Sequence, residues 1–570
     1  MKNQEIVKIF NDIADLLEIK GENPFRIRAY RRAALNIESL STDIASTPKD
    51  ELMEIPGIGQ DLAGKILEYI QTGKMQAYED LKKEVPEGLS GLLSVPSLGP
   101  KTAKLLFEKL QVKDLDDLAR LAREHKLIGL PGIKEKTEEN IIKGIEMLKR
   151  GMERQPLGKV LPMAKDIVGY LETHATVDQI KIAGSIRRWK DTVKDIDILA
   201  TSRDPKAVMN AFVHVPSVQD ILMHGPTKSS VIIHEGLQVD LRVVEEDSFG
   251  AALAYFTGSK AHNIRLREMA VKAGLKINEY GIFRQKDDKK LGGKREEDVY
   301  RLLGLPFIAP ELREDLGEIE AAFEGRMPHL IDSSDIRGDL HVHTRRSDGS
   351  HDFDELIGEA KKRGYEYIAI TDHSKGLGIA RGLSEERLLE EKAEIEALNK
   401  KSKGFKLLAG VEVDIRSDGR MDFTDEILRQ MDIVVASIHS GFRQSREQIT
   451  RRLTSAMRNP CVSVIAHPTG RLIGERDPYD VDIHEVLKVA KETGTAIEIN
   501  AYPLRLDLND AYAKMAKEMG VRLAISTDTH ITNQFDFMEY GVAIARRGWL
   551  EKRDVLNTMD YHSLLAALKK

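Results

Sequence analysis

One cysteine in 570 residues leaves no partner for a disulfide. Cys461 can form neither an intramolecular bridge nor a multi-thiolate zinc site, so a reducing cytosol is the expected setting. No stretch approaches the roughly 18 consecutive apolar residues of a membrane helix, which argues against a membrane-spanning chain. Charge of one sign is missing too: 86 basic residues stand against 92 acidic ones, a formal charge of −6. Without a global positive field, any contact with nucleic acid has to come from local basic clusters. The N-terminal segment lacks the continuous apolar core of a signal peptide. Ile6, Ile9, Phe10, Ile13, Leu16 and Leu17 instead recur among acids at helical spacing, the pattern of a folded helix. What is present is an ordinary soluble balance, 41% apolar and 31% charged, in a chain long enough for about four domains at roughly 150 residues each.

Three stretches in the first 150 residues repeat one pattern: IPGIGQDLAGKI from Ile55, VPSLGPKTAKLLF from Val95 and LPGIKEKTEENII from Leu130. Each reads as a tight turn followed by a helix. Glycine suits such a turn because it tolerates φ > 0 and leaves main-chain N–H groups bare at a helix N-terminus, where they can hold a phosphate; the candidates are Gly57, Gly59, Gly99 and Gly132. One such loop is an ordinary helix–helix turn, whereas three at similar spacing point to a reader of the DNA backbone. Ser97 and Lys134 each replace one glycine in the second and third copies. The pattern resembles the helix-hairpin-helix motif, complete in the first copy. Just upstream, Arg26, Arg28, Arg31 and Arg32 interleave with Phe25 and Tyr30. Alone this is a solvated helix face; beside the loops it becomes a partner for phosphates and terminal bases, with Arg26 and Tyr30 the candidate contacts.

After Arg154-Gln155-Pro156 the pattern turns from helical to mixed. In GSIRRWKDTVKDIDILA, from Gly184, a β-pattern places Asp195 and Asp197 one residue apart, so both carboxylates project together while Ile196 and Ile198 face the other way. Two hard oxygen ligands on one face suit a magnesium ion bound to substrate phosphates. Surface strands also carry such pairs, so the pair alone decides little. A further strand, LQVDLRVV, sets Asp240 between Val239 and Leu241, and an acid inside an apolar strand is costly unless paired or metal-bound. Three such acids suit two-metal phosphoryl transfer. Upstream, Gly184, Ser185, Arg187 and Arg188 supply a glycine turn, a hydroxyl and cationic donors for β- and γ-phosphates. Gly-Ser, then Asp-x-Asp, then an isolated Asp resembles the nucleotidyltransferase superfamily. YFTGSKAHNIRLR, from Tyr255, narrows this to the family X DNA polymerases, the family of polymerase beta.

That resemblance implies roles by position. Tyr255 and Phe256 would lie beside the sugar of the incoming nucleotide and disfavour a 2′-hydroxyl. Gly258 would be a close backbone contact, Asn263 a minor-groove donor to the nucleotide base and Arg267 a template-side contact. It extends back to residue 1 through NPFRIRAYRRAA and the first hairpin, where Lys65 aligns with the lysine that forms a Schiff base in deoxyribose-phosphate removal. Such a lysine acts only when neutral, and Asp61 and Arg26 stand where that lyase pocket usually carries further lysines.

The last third repeats a short apolar strand ending in His, Asp or Glu, followed by a helical stretch: DLHVHT, YIAITDHS, LLAGVEVD, IVVASIHS, VSVIAHP, TAIEIN and LAISTDTH. Seven such units predict a distorted (β/α)7 barrel with its working residues at the carboxyl ends of the strands. The candidate ligands are His341, His343, Asp348, His373, Glu412, His439, His467, Asp528 and His530. A lone histidine is usually structural; nine ligand-type residues clustered at strand ends are not. Imidazole and carboxylate without thiolate suit manganese, zinc or iron. The set resembles the PHP (polymerase and histidinol phosphatase) domain, which implies up to three ions, Mn2+ or Zn2+, and hydrolysis of a phosphoester.

The expected organisation is multidomain α/β: a polymerase beta-like DNA-binding domain over 1–90, a further helix-hairpin-helix region over 91–154, a nucleotidyltransferase palm with a mixed sheet over 155–310, a linker over 311–334 and the PHP barrel over 335–570. The expected function is a bacterial-type family X polymerase, Mg2+-dependent, that fills gaps in DNA repair with deoxynucleoside triphosphates. A PHP nuclease would act on 3′-ends or abasic sites of gapped or nicked duplex. The expected state is a cytoplasmic monomer without a membrane partner. Two competitors remain at this level: a DNA-binding scaffold with vestigial centres, and a nucleotidyltransferase fused to a small-molecule phosphatase.

Overall fold

A computed structural model of the chain describes residues 2–38, 44, 47–55, 57–84, 92, 95, 98, 100–135, 137–138, 141–142, 144–145 and 154–568. Two compact units emerge. One comprises 1–154, 171–178 and 202–243; the other 155–170, 179–201 and 244–570. Among the described residues no helix is long and apolar enough to cross a membrane.

The first unit begins with helices α1 (Lys2–Lys20) and α2 (Pro24–Glu38). All six apolar residues read from the spacing of α1 are buried, and they meet Ala33, Ala34 and Ile37 of α2 in one core. Tyr30 joins that core edge-on to Phe10, ring centroids 5.4 Å apart. Between α3 (Lys49–Glu54) and α4 (Gln60–Thr72) lies the first hairpin turn. Gly57 sits at φ +84°, and Ile58 N–H donates to Ile55 O at 3.0 Å. The same turn-closing bond recurs from Leu98 to Val95 at 3.0 Å and from Ile133 to Leu130 at 2.9 Å, with Gly132 at φ +86°. The three sequence repeats thus share one closing bond; Gly99 lies outside the described residues. The unit also contains an antiparallel meander of Val218–His224, Lys228–Ile233 and Gln238–Val243, in which Asp240 stands opposite Ser230.

In the second unit, β1 (Gln179–Ile182) pairs antiparallel with β2 (Asp195–Thr201), Ile182 opposite Ile198. Helices α5 (Phe249–Thr257) and α6 (Lys260–Lys272) follow, and a core of Leu266, Tyr300, Leu305, Ile308 and Leu312 packs behind them. Residues 311–334, read as a linker from sequence, are folded into this unit: Leu312 to Asp315 and Ile319 are buried. Arg313 is wholly enclosed because its guanidinium bonds Glu296 at 2.6 Å and Ile308 O at 2.9 Å. Phe323 to Arg326 form the longest fully exposed run within 311–334.

The remainder is a parallel barrel with strands in sequential order: β3 (Gly338–Val342), β4 (Tyr367–Ile370), β5 (Lys406–Asp414), β6 (Ile433–Ser437), β7 (Val464–Ile465), β8 (Ala496–Asn500) and β9 (Leu523–Ser526). Nearly every strand residue is buried, the consequence of a parallel sheet covered on both faces. A bridge from Val342 to Thr529 brings the last strand back to the first. The alternation in β3 turns Leu340 into the apolar core and leaves His341 and His343 on the opposite side. Helix α7 (Met538–Arg547) leaves the loop that follows β9.

Candidate functional site

All nine predicted barrel ligands meet at the carboxyl ends of the strands. Glu412, within β5, is the hub: one oxygen lies 2.8 Å from His373 Nδ1 and 3.3 Å from His341 Nε2, the other 3.1 Å from His467 Nε2 and 3.3 Å from His439 Nε2. Asp528 Oδ1 is 3.2 Å from His343 Nε2, and Asp348 bridges His373 at 3.5 Å and His530 at 3.3 Å. Three overlapping groups have ligand atoms close enough to share an ion: His343/Asp348/His373/His530, His341/His343/Asp528 and His373/Glu412/His439. His341 Nε2, both nitrogens of His343, His373 Nδ1 and Glu412 Oε2 are buried yet satisfy no hydrogen bond. Buried polar atoms normally find partners, so these orphaned lone pairs fit divalent cations.

The cluster is strongly coupled: burial pushes His341, His373 and His530 down, but the neighbouring carboxylates outweigh it and raise all three. Burial pushes the Glu412 and Asp528 carboxyls up, but the surrounding imidazoles outweigh it and hold both well below the ordinary range. Burial and the neighbouring His373 and His530 push His343 down to about 4, leaving it neutral as a ligand must be. Two ligands, His467 at φ +28° and Asp528 at φ +56°, occupy left-handed backbone conformations, the kind of local strain that accumulates at working sites. Seven of the nine ligands, all but His341 and His343, line a cleft of about 300 Å³ together with Arg505, Leu377, Ile379 and Ala380.

Sequence reasoning missed the supporting shell. Glu498 accepts from His341 Nδ1 at 2.8 Å and from the main-chain N–H of His467 at 2.7 Å, and so orients one ligand and the loop of another. Its signal was available: AIEIN carries an acid inside an apolar strand, the argument already applied to Asp240. Asp414 lies 3.4 Å from His439 Nδ1, and Arg505 3.6 Å from Asp528.

On β2 the expected alternation is seen: Asp195 and Asp197 are accessible while Ile196 and Ile198 are buried. Gly184, at φ +62°, abuts Asp197; a Cβ there would lie 2.5 Å from Asp197 Oδ2. The turn after Gly184-Ser185 divides its two arginines. Arg187 forms a two-pronged pair with Glu296 at 2.6 and 2.7 Å and donates to Thr257 Oγ1, so it is a brace rather than a phosphate donor. Arg188 Nη1 donates to Thr257 O, and its Nε donates to Glu314 at 3.1 Å. Tyr255 and Phe256 pack edge-to-face at 5.1 Å, Asn263 Nδ2 donates to Tyr255 O at 2.7 Å, and Arg267 Nε donates to Asn263 O at 3.2 Å. Arg188 also neighbours Gly258, where a Cβ would lie 3.1 Å from its Nη1. In the other unit Asp240 is half-buried; it accepts from Gln238 Nε2 at 2.9 Å and lies 3.7 Å from Arg242.

At the N-terminus Arg26 is exposed and pairs loosely with Glu22 at 3.8 Å. Tyr30 corrects the expectation: only 2% exposed, its ring is core and offers no face to a base. The exposed aromatic is Phe25, with Arg28 over its ring at 4.4 Å. Lys65 pairs with Asp61; burial pushes its pKa down, but the bonds to Asp61 and Tyr30 outweigh this and raise it.

A helical hairpin region, carboxylates on a palm-like strand and an imidazole–carboxylate cluster on a β/α barrel are the parts of a two-centre enzyme of nucleotidyl and phosphoryl chemistry. Family models match in that order: a helix-hairpin-helix domain over 1–75, a SAM-like helix-hairpin-helix tandem over 89–147, the DNA polymerase beta thumb over 252–314 and the PHP domain over 339–502. The DNA polymerase/3′-5′ exonuclease PolX of Bacillus subtilis is 40% identical over 572 residues, covering all of both chains. Probable phosphatases of Thermoanaerobacter and Caldanaerobacter subterraneus are 32% and 34% identical over 39% and 36% of this chain, and over 89% and 80% of their own lengths. The chain belongs to the PolX family, the family X DNA polymerases with a carboxyl-terminal PHP domain.

Proposed function

We propose that this chain is a DNA-directed DNA polymerase that fills short gaps in DNA repair and trims 3′-ends through a metal-dependent exonuclease in its barrel. One observation carries the reading: an undegraded ligand set, eight residues in three overlapping groups and His467 beside Glu412, in a chain that matches a polymerase/exonuclease from end to end. A scaffold with vestigial centres has no use for such a set. The phosphatase relatives match only about two-fifths of the chain.

In the barrel, His341, His343, Asp348, His373, Glu412, His439, His467, Asp528 and His530 would hold up to three ions, Mn2+ or Zn2+. Bound there, such ions supply Lewis acidity and an activated water at neutral pH. Glu498 keeps His341 in the tautomer with Nε2 free for coordination, and Arg505 adds a cation to the cleft wall where a scissile phosphate would lie. Abasic-site phosphodiesters are the same chemistry and a second substrate class. In the polymerase, Asp195, Asp197 and Asp240 are assigned to Mg2+ by their match to the family motif, and Gly184, Ser185 and Arg188 to the β- and γ-phosphates. Tyr255 and Phe256 gate the sugar, Gly258 approaches the nucleotide through its backbone, Asn263 contacts its base and Arg267 the template side. The turns at Gly57, Gly59, Gly99 and Gly132, with Arg26, grip the duplex backbone. Lys65, kept protonated by Asp61, is a poor Schiff-base nucleophile, so lyase activity is not part of the assignment. A monomer is part of the reading, and the lone thiol suits the cytoplasm.

A labelled primer on a one-nucleotide gap tests both centres at once. His341→Ala/His343→Ala should lower 3′-end degradation by orders of magnitude while nucleotide incorporation continues. Asp195→Ala or Asp197→Ala should do the reverse, and a chelator should silence both. Wild-type degradation by the double variant would place the exonuclease elsewhere; extension by both aspartate variants would remove the Mg2+ assignment.

A further inference from the structure

The turn that follows the Gly184-Ser185 motif is gripped by the barrel. Arg547, the last residue of α7 and nearly fully buried, donates from Nη1 to the main-chain oxygen of Arg188 at 2.6 Å and to Glu314 Oε1 at 3.1 Å. Its Nε and Nη2 bond Asp510 at 2.8 and 2.6 Å. Two further barrel side chains seize the next residues: Tyr540 meets Trp189 edge-on at 5.5 Å, and Arg471 Nη1 bonds Asp191 at 3.1 Å. Trp189 is at φ +54°, so the turn is held in a conformation its own sequence does not favour.

Glu314 is the shared element. The same Oε1 accepts from Arg188 Nε and from Arg547 Nη1, both at 3.1 Å. A buried one-to-one pair with Glu314 would cancel the charge of Arg188 and leave little for a triphosphate. A second guanidinium on the same oxygen divides that carboxylate between two cations and returns part of the charge to Arg188, whose Nη2 makes no hydrogen bond among the described residues. The other prong of Arg547, on Asp510, fixes where the sharing happens, and Thr257 O holds Arg188 Nη1 beside Gly258.

We propose that Arg547, a residue of the exonuclease barrel, is a positioning residue of the polymerase: through Glu314 and the Arg188 carbonyl it presents the Arg188 guanidinium, still charged, to the triphosphate of the incoming nucleotide. This rests on the reading of Arg188 as a triphosphate contact. The barrel thus completes the nucleotide site of its neighbour while taking no part in that reaction's chemistry.

Steady-state incorporation on a gapped primer, with 3′-end degradation measured on the same protein, tests it. Arg547→Met should raise the nucleotide KM about tenfold with kcat nearly unchanged, while degradation stays at the wild-type rate and reports a folded barrel. Arg188→Ala should raise KM at least as much, and Arg188→Ala/Arg547→Met should be no worse than Arg188→Ala, since one residue acts through the other. If Arg188→Ala leaves KM unchanged, the reading of Arg188 fails. If it raises KM while Arg547→Met in a degrading, folded protein does not, or if the two effects multiply, the positioning role is overturned. Should Arg547→Met lose degradation as well, Arg547→Lys keeps the charge but spans fewer acceptors; it should raise KM by a smaller factor, and an unchanged KM overturns the proposal.

Discussion

A Cβ on residue 184 would lie 2.5 Å from Asp197 Oδ2, and the backbone there is at φ +62°, so a side chain meets both a steric and a conformational objection. The conformational cost is about 1 kcal/mol, which the fold can absorb; the displacement of Asp197 falls on the chemistry. Gly184→Ala should therefore leave the melting temperature nearly unchanged and lower single-nucleotide incorporation by about 100-fold, because a misplaced carboxylate no longer meets developing charge. Rapid-quench incorporation beside a thermal melt checks it. The placement of such residues was legible where chemistry and spacing coincide, as with the shared face of Asp195 and Asp197 and the gathering of the barrel histidines. Tyr30 was not, because an aromatic among arginines looks the same in sequence whether it faces solvent or, as here, Phe10. Arg187 and Arg188 were read alike; only the placement of Glu296 and Glu314 separates brace from candidate ligand.

At the scale of elements, the hairpin turns and the barrel strands were the most readable parts, for opposite reasons. The turn is local: one N–H···O bond closes four residues, and the bond repeats from Ile55, Val95 and Leu130. The strands are global, but burial on both faces makes most of them short, largely apolar runs with a ligand at or near the carboxyl end. Gly57→Val places a branched side chain at φ +84°, with its Cβ 3.0 Å from the Arg32 side chain. It should weaken binding to gapped duplexes by a similar factor whatever their sequence, since amide–phosphate contacts carry no base information. Fluorescence anisotropy with several unrelated duplexes decides this; a loss confined to one sequence contradicts it.

For the whole molecule, the buried ions around Glu314 tie fold to pH. Burial pushes this carboxyl up, but Arg188, Arg547 and Lys190 outweigh it and hold it at about 2, against an ordinary 4.5. A depressed folded value means that the stabilisation is complete above the unfolded value and disappears as pH falls toward the folded one. The difference in melting temperature between the wild type and Glu314→Gln should therefore be widest near neutrality and should close as pH drops from about 5 to about 2. A constant difference over that range would show that the glutamate contributes shape and not charge. None of this was legible beforehand. The sequence around residues 311–334 is acidic and proline-containing, which resembles a tether, and its burial depends on partners such as Arg547 and Glu296 that are remote along the chain.

The exposed run from Phe323 to Arg326 has a consequence for inheritance as well as for folding. On its amino-terminal side the chain is anchored by Glu311 and Glu314 to Arg546 and Arg547; on its carboxyl-terminal side those arginines belong to the barrel. Peptide-bond continuity at Arg326 is thus redundant with the noncovalent grip. A gene split at that codon should yield two polypeptides that co-purify as one particle and retain both gap filling and 3′-trimming, with size exclusion giving a single peak of unchanged volume. Fission into two subunits is thus an evolutionary route that this stretch of the chain leaves open.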